Sequence, residues 1–208
     1  MDSSHADNTV SKNEAQIGAP KGDAFLFFRN FFRHPRMLGS IIPSSRFLIK
    51  QLLEPIDWEK ARVIVEYGPG VGGITAEILR RMRPDARLVA IEMNGDFVNF
   101  LRKSLVDQRF DVVEASAADV NEILNKLGLP KADYILSGIP LGSMPAVVRG
   151  PILQNTREAL AAGGSFLVFQ FTTRVLPDLN RVFRYVQRKF EPLNILPAHL
   201  FFCSAEPA

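Results

Sequence analysis

From Trp58 onward the chain alternates two kinds of hydrophobic pattern, short β-rich apolar runs and stretches with apolar residues every three or four positions. The runs predict strands at 62–66, 88–92, 111–114, 133–137 and 165–171; the periodic stretches predict helices at 74–82, 96–106, 120–127 and 147–162. Strand and helix in regular succession imply an α/β domain with a mostly parallel sheet and helices on both faces. After Phe171 the pattern changes. A basic amphipathic helix is expected at 179–189, then a closing hairpin from the runs 193–196 and 199–203. No internal repeat is visible.

The part before Trp58 reads differently. Residues 1–23 are polar and small and lack apolar periodicity, so they are expected to form a disordered arm. At Ala24 the sequence turns abruptly aromatic. Phe25, Phe28 and Phe32 fall on one helical stripe, Phe27 and Phe31 widen it, and Pro35 limits it. A second short helix is expected after Pro43, with Ser44 or Ser45 as its cap, Phe47, Leu48, Leu52 and Leu53 as its apolar residues, and Pro55 as its stop. The predicted organisation is an arm (1–23), a helical extension or lid (24–55) and a catalytic domain (56–208).

The most informative stretch is Val63-Ile64-Val65-Glu66-Tyr67-Gly68-Pro69-Gly70-Val71-Gly72-Gly73, an apolar strand entering a glycine-rich turn that opens a helix. Glycines let a backbone approach a bound cofactor where a Cβ would collide, and Glu92, at the end of the second strand, can accept both ribose hydroxyls. Gly68, Gly70 and Gly73 also spell the dinucleotide fingerprint G-x-G-x-x-G. Glu66 argues against a pyrophosphate, because like charges would meet in a partly desolvated loop. A carboxylate there suits S-adenosylmethionine, which lacks phosphate and carries an ammonium and a sulfonium. Glu66, Gly68, Gly70 and Gly72 resemble motif I of the class I methyltransferases. That resemblance implies cofactor contacts from Glu66, Tyr67, Gly68, Pro69, Gly70, Gly72, Glu92 and Met93. It also implies contacts from Ser116 and Ala117 after the third strand and from Ser137 after the fourth. Asp119 has two readings, an adenine contact or an N-cap for the next helix.

The fourth strand runs into Ser137-Gly138-Ile139-Pro140-Leu141. This looks like a variant of the Asn-x-Pro-aromatic motif of amino-methylating enzymes, with Ser137 replacing or displacing the Asn and Leu141 in place of the aromatic that stacks on a flipped base. The changed mouth, the aromatic-basic N-terminal segment, Gly39-Ser40-Ile41-Ile42-Pro43-Ser44-Ser45, Phe169-Gln170-Phe171-Thr172 and Asn194-Ile195-Leu196-Pro197-Ala198 together resemble the bacterial phospholipid N-methyltransferases. The resemblance implies a class I methyltransferase fold with a seven-stranded sheet. It also implies successive methyl transfer from S-adenosylmethionine to the amine of phosphatidylethanolamine and its partly methylated forms. Ser137, Gly138, Ile139 and Pro140 then form the reacting mouth, with Tyr67 as a second contact to the nitrogen.

A lipid alkylammonium with a pKa of ~10.4 is almost wholly protonated at neutral pH, so neutralising it is part of the barrier, and desolvation helps. No dedicated base stands out; His199, within an apolar run, reads as a core histidine. The rivals are methylation of RNA adenine or of a small amine, and a non-enzymatic membrane sensor that binds S-adenosylmethionine.

Composition narrows the partners. At 208 residues and 47% hydrophobic content the chain can bury about 70% of its surface and needs no staple. A single cysteine, Cys203, and three scattered histidines exclude a disulfide framework and argue against a metal site. The net charge is only +3, yet it gathers in two basic zones, Arg29 to Lys50 and Arg174 to Lys189. With Phe25, Phe27, Phe28, Phe31 and Phe32, the cations Arg29, Arg33 and Arg36 have the make-up of an interfacial helix that meets an anionic membrane surface; simple packing on the domain is the other reading. The zone of Arg181, Arg184 and Arg188 is either a second lipid contact or a solvated face. No apolar run approaches the ~20 residues of a membrane span. A cytoplasmic protein peripherally bound to the inner membrane face is expected, with a phospholipid substrate and no nucleic-acid partner.

Overall fold

The computed structural model describes residues 44–194 and 196–205. The expected arm, and the aromatic segment with Phe25, Phe27, Phe28, Arg29, Phe31, Phe32, Arg33 and Arg36, lie outside the described residues. The chain begins with α1 (Arg46–Leu53), followed by β1 (Val63–Tyr67), α2 (Gly73–Arg81), β2 (Arg87–Glu92), α3 (Gly95–Ser104) and β3 (Phe110–Glu114). Then come α4 (Val120–Lys126), β4 (Ala132–Ser137), α5 (Ala146–Ala159), β5 (Leu160–Gln170), α6 (Leu176–Val182), β6 (Tyr185–Glu191) and β7 (Ala198–Ser204). They form one seven-stranded sheet of order β3-β2-β1-β4-β5-β7-β6, parallel except for the antiparallel β7. The order reverses direction between β1 and β4, the switch point beside which open α/β sheets bind ligands.

Each face of the sheet has its own core. On β1, Val63, Val65 and Tyr67 join Ile123, Ile152, Leu153 and Leu179 from α4, α5 and α6. Ile64, on the opposite face, joins Leu48, Leu52 and Leu53 of α1 and Ile74 and Ile78 of α2. Because strand side chains alternate, these assignments put Glu66 in phase with Ile64 and Tyr67 in phase with Val65. Ser45 caps α1, its hydroxyl accepting from the Leu48 N–H at 3.2 Å. α1 is thus a layer on the sheet with its apolar stripe buried, and its start is tied to the β6–β7 link, where Asn194 Oδ1 accepts from the Ser45 N–H at 2.9 Å.

The C-terminal third departs from expectation. The helix expected at 179–189 ends at Val182, and Tyr185–Glu191 is a strand paired with all of β7. Arg184 to Lys189 contains good helix formers, but β7 is almost wholly buried and presents an unpaired ladder edge, and pairing outweighs local propensity. Of the expected strand at 193–196, the described residues Leu193, Asn194 and Leu196 are not in a strand and belong to the link, bracketed by Pro192 and Pro197, which cannot donate to a ladder. The basic zone is accordingly no single stripe. Arg181 pairs with Asp178 on α6, whereas Arg188 and Lys189 point to opposite faces of β6, where Lys189 pairs with Glu54 at 2.7 Å. The helix before β5 also stops earlier than expected, and β5 starts at Leu160 through a bulge opposite Ala132 and Tyr134. Among the described residues no helix is long and apolar enough to cross a membrane.

Candidate active site

Two loops at the carboxyl edge of the sheet, one after β1 and one after β4, build the site. The first is a backbone cradle. Gly68 (φ +67°) donates its N–H to the Ile91 carbonyl at 2.9 Å, and a Cβ on it would stand 2.6 Å from Cγ2 of Ile139. Gly70 (φ +56°) is also left-handed, and its N–H points to Glu92 Oε2 at 3.3 Å. Both positions therefore require glycine, one for space and both for conformation. Pro69 supplies the carbonyl that closes the turn, accepting from the Gly72 N–H at 2.9 Å.

Two carboxylates flank this cradle, both buried. Glu92 ends β2, and its Oε1 accepts from the Asn94 N–H at 2.9 Å. Burial raises its pKa against the pull of the Asn94, Gly70 and Met93 N–H groups. Glu66 ends up under the loop on the α2 side, where the Thr75 hydroxyl donates to its Oε2 at 2.7 Å. Burial pushes the Glu66 carboxyl up to about 7; the Thr75 bond opposes the shift and nearby Glu92 adds to it. Among the described residues neither carboxylate has a cationic partner in an ion pair. Gly68, Glu92, Met93, Ala117 and Ile139 line one narrow pocket with Ile91 and Ala115. Ser116 is buried beside it, but its hydroxyl caps the following turn by accepting from the Ala118 N–H at 3.2 Å. Asp119 precedes α4 without a side-chain cap bond, and burial raises its pKa.

The second loop is the mouth. The Gly138 N–H donates to the Tyr67 carbonyl at 2.9 Å, and a Cβ on Gly138 would press 3.2 Å from the Gly68 carbonyl oxygen and from the Phe169 ring. This close stacking brings Ser137 to Pro140 against the glycine cradle. The Ser137 hydroxyl is buried and has no hydrogen-bond partner among the described residues. Gln170, the last residue of β5, holds the loop from the next strand. Its Nε2 donates to the Ile139 carbonyl at 2.7 Å and its Oε1 accepts from the Gly142 N–H at 3.0 Å. Reading the sequence missed this clamp. Its one signal was an isolated amide at the end of an otherwise apolar strand, within Phe169-Gln170-Phe171-Thr172.

The side chain of Tyr67 does not reach this mouth. It is in phase with Val65, fully buried on the other face of the sheet, and its hydroxyl pairs with the Thr156 hydroxyl at 3.1 Å. The expectation that Tyr67 contacts the reacting nitrogen is therefore corrected: it contributes its carbonyl to the loop and its ring to the core. His199 stands half-buried between the rings of Phe190 and Phe201, and burial together with nearby Arg188 lowers its pKa.

Residues 32–135 match the family model described as ribosomal RNA adenine dimethylase. Over 183 residues, 87% of this chain and 95% of its relative, the protein is 37% identical to an ornithine lipid N-methyltransferase of Singulisphaera acidiphila. The chain belongs to the ribosomal RNA adenine dimethylase family of S-adenosylmethionine-dependent methyltransferases. Other members match less of it: ribosomal RNA small subunit methyltransferase A of Mycoplasma mycoides is 30% identical over 58% of this chain but only 42% of its own length. The fold is shared with human methyltransferase-like protein 13 in complex with SAH, at a TM-score of 0.57 and 20% identity over 84% of this chain and 82% of that one. The seven-stranded class I methyltransferase fold expected from the sequence is the fold observed. The site suits the family's cofactor. A glycine cradle that admits no Cβ at Gly68, and two buried carboxylates that lack cations, fit a phosphate-free ligand carrying positive charge.

Proposed function

We propose that this protein methylates the primary amine of a membrane lipid headgroup. The observation that carries this reading is the match along nearly the whole of both chains to an ornithine lipid N-methyltransferase, where ribosomal RNA relatives match over less than half their length. The mouth supports it: Leu141 stands where an aromatic would stack on a base, and Leu141, Ile139 and Met144 are buried and apolar. Phosphatidylethanolamine is the acceptor expected from the sequence, and ornithine, whose side chain ends in a primary amine, offers the same nucleophile.

When bound, S-adenosylmethionine supplies an electrophilic methyl group on a sulfonium. Glu92 would hold a ribose through its carboxylate, with Gly68, Met93 and Ala117, which line the same pocket, as the walls and the Gly70 N–H on its Oε2. Glu66 supplies negative charge beneath the glycine turn. The Ser137 side chain, in register with Tyr67, is fully buried on the same face of the sheet, so the incoming amine and its lone pair would be oriented by the backbone of the Ser137-to-Pro140 loop, which stands against the glycine cradle. An apolar mouth excludes water and lowers the pKa of an entering ammonium, which is the main chemical assistance this chain offers.

The test is to incubate the purified protein with methyl-labelled S-adenosylmethionine and, separately, vesicles containing phosphatidylethanolamine, vesicles containing ornithine lipid, ribosomal RNA, and small amines. Label in organic-phase lipid is the expected outcome, and chromatography then counts the methyl groups. Label confined to RNA or small amines would overturn the lipid reading, and cofactor binding with no product would favour a sensor.

A further inference from the structure

The cofactor cradle and the acceptor mouth open on one edge of the sheet, and the strands next to the mouth carry an unusual rim there. By register, Ser137 is abreast of Val168, Gln170 of His199, and His199 of Phe190, so the ends of β5 and β6 lie beside the mouth. On this edge Phe190 is 53% exposed, Phe171, just past Gln170, 38%, and Leu193 and Leu196 of the β6–β7 link 61% and 43%. Four large apolar side chains partly in solvent, on the same sheet edge as the acceptor loop, are costly for a chain that has a sheet to bury them against.

Hydrogen bonds tie the described residues of the link to their surroundings. The Leu193 N–H donates to Glu191 Oε1 at 2.6 Å, Asn194 Nδ2 donates to the Leu196 carbonyl at 2.9 Å, and Asn194 Oδ1 anchors the link to the start of α1. Glu191, the last residue of β6, is itself buried and engaged by Gln51 and Leu193. Arg174 and Arg188 flank the apolar residues, both exposed, and among the described residues neither has a carboxylate within ion-pair distance. The edge therefore presents apolar side chains flanked by two cations unopposed among the described residues, the chemistry complementary to an anionic bilayer surface.

We infer that Phe171, Phe190, Leu193 and Leu196, flanked by Arg174 and Arg188, form a membrane-docking rim that seats the acceptor mouth on an anionic bilayer. This rests on the lipid reading of the site for its purpose, but not for its test. The rim does for the acceptor what the glycine cradle does for the cofactor: it sets the plane from which a headgroup amine reaches the loop after β4. It also differs from the aromatic segment at residues 25–36, since it is built from the sheet edge itself.

The experiment uses vesicles of phosphatidylcholine and phosphatidylglycerol, which contain no primary amine, so that binding is read without substrate recognition. The full chain should sediment with them, and the double substitution Leu193→Asp, Leu196→Asp should weaken sedimentation about tenfold or more. Arg188→Ala should weaken it about fivefold, an effect erased by high salt. Melting temperature and S-adenosylmethionine affinity should stay unchanged, because these side chains are exposed and away from the cradle. Leu193→Trp adds a second reporter to the one native tryptophan, and the emission of the introduced indole should shift to the blue on anionic vesicles. Sedimentation unaffected by the double substitution, or an emission from the Leu193→Trp variant that vesicles leave in place, would overturn the rim. Loss of vesicle binding in a protein that proves to methylate no lipid would leave the rim standing and remove the lipid-methylation reading.

Discussion

The two loops that make the site differ in how they are held. The cradle after β1 is fixed by backbone conformation and charge: left-handed glycines, a β2 carboxylate accepting amide N–H groups, and a second carboxylate on Thr75. The mouth after β4 has none of this. It is small and apolar, its one buried hydroxyl lacks a partner among the described residues, and the amide of Gln170 on the neighbouring strand holds it from outside. The contrast follows from the two ligands. A polar, charged cofactor is recognised by directional groups that must be built into the loop, whereas an amine on a lipid needs placement and dryness, which a neighbouring strand can impose.

The contrast is tested most severely at Gly70. Gly70→Asp would force a side chain into a left-handed position and set a carboxylate beside Glu92, so S-adenosylmethionine affinity should fall by about 100-fold or more in calorimetry. Circular dichroism should show the fold retained, and unchanged affinity would show that the cradle does not hold the cofactor. Next in size is Gln170→Leu, which leaves the Gly142 N–H without its acceptor, leaves the Ile139 carbonyl with the Leu141 N–H alone, and frees the mouth. Turnover should fall about 10- to 100-fold, stability by about 1–3 kcal/mol, and cofactor affinity not at all. Gln170→Glu, which keeps the acceptor for Gly142 but loses the donor to Ile139, should recover part of the turnover. A loss of cofactor affinity equal to the loss of turnover would erase the distinction between the two loops.

The same contrast explains what could be read in advance. The cradle was legible because its requirements are local: a strand, glycines at fixed offsets, and a carboxylate at the end of the next strand are properties of consecutive residues. The first five strands and their helices were legible because period-2 and period-3.6 patterns alternate cleanly. Tyr67 was misjudged because adjacency to the glycines says nothing of strand phase, and one residue of phase sends a side chain to the other face. Gln170 was invisible as a clamp because its partners lie 28 and 31 positions away. For Tyr185–Glu191, basic residues compatible with either period became a strand only because β7 needed a neighbour. What depended on non-local pairing was what the sequence concealed.

The smallest effect probes the charge in the cradle. In the folded protein Glu66 holds its proton up to about pH 7, whereas in the unfolded chain it would lose it near its ordinary value of 4.5. The folded state therefore binds more protons between those values, and this residue's cost to stability grows as pH rises from 4.5 to 7 and is constant above. A cationic ligand reverses the preference by favouring the carboxylate. Binding should then release about one proton near pH 6 and almost none at pH 8, and affinity should rise with pH to about 7 and level off. Calorimetry in two buffers of different ionisation enthalpy counts those protons. Glu92 is shifted in the same direction, so Glu66→Gln isolates the contribution. The amide still accepts from Thr75 but cannot ionise. The variant should be the more stable above pH 7, by on the order of 3 kcal/mol, and should bind S-adenosylmethionine several-fold more weakly with a flatter pH dependence. Stability and affinity moving in opposite directions would mark Glu66 as a charge kept for the ligand at a cost to the fold. If both fell together, the carboxylate would be a structural partner of Thr75, and the charge in the cradle would rest on Glu92 alone.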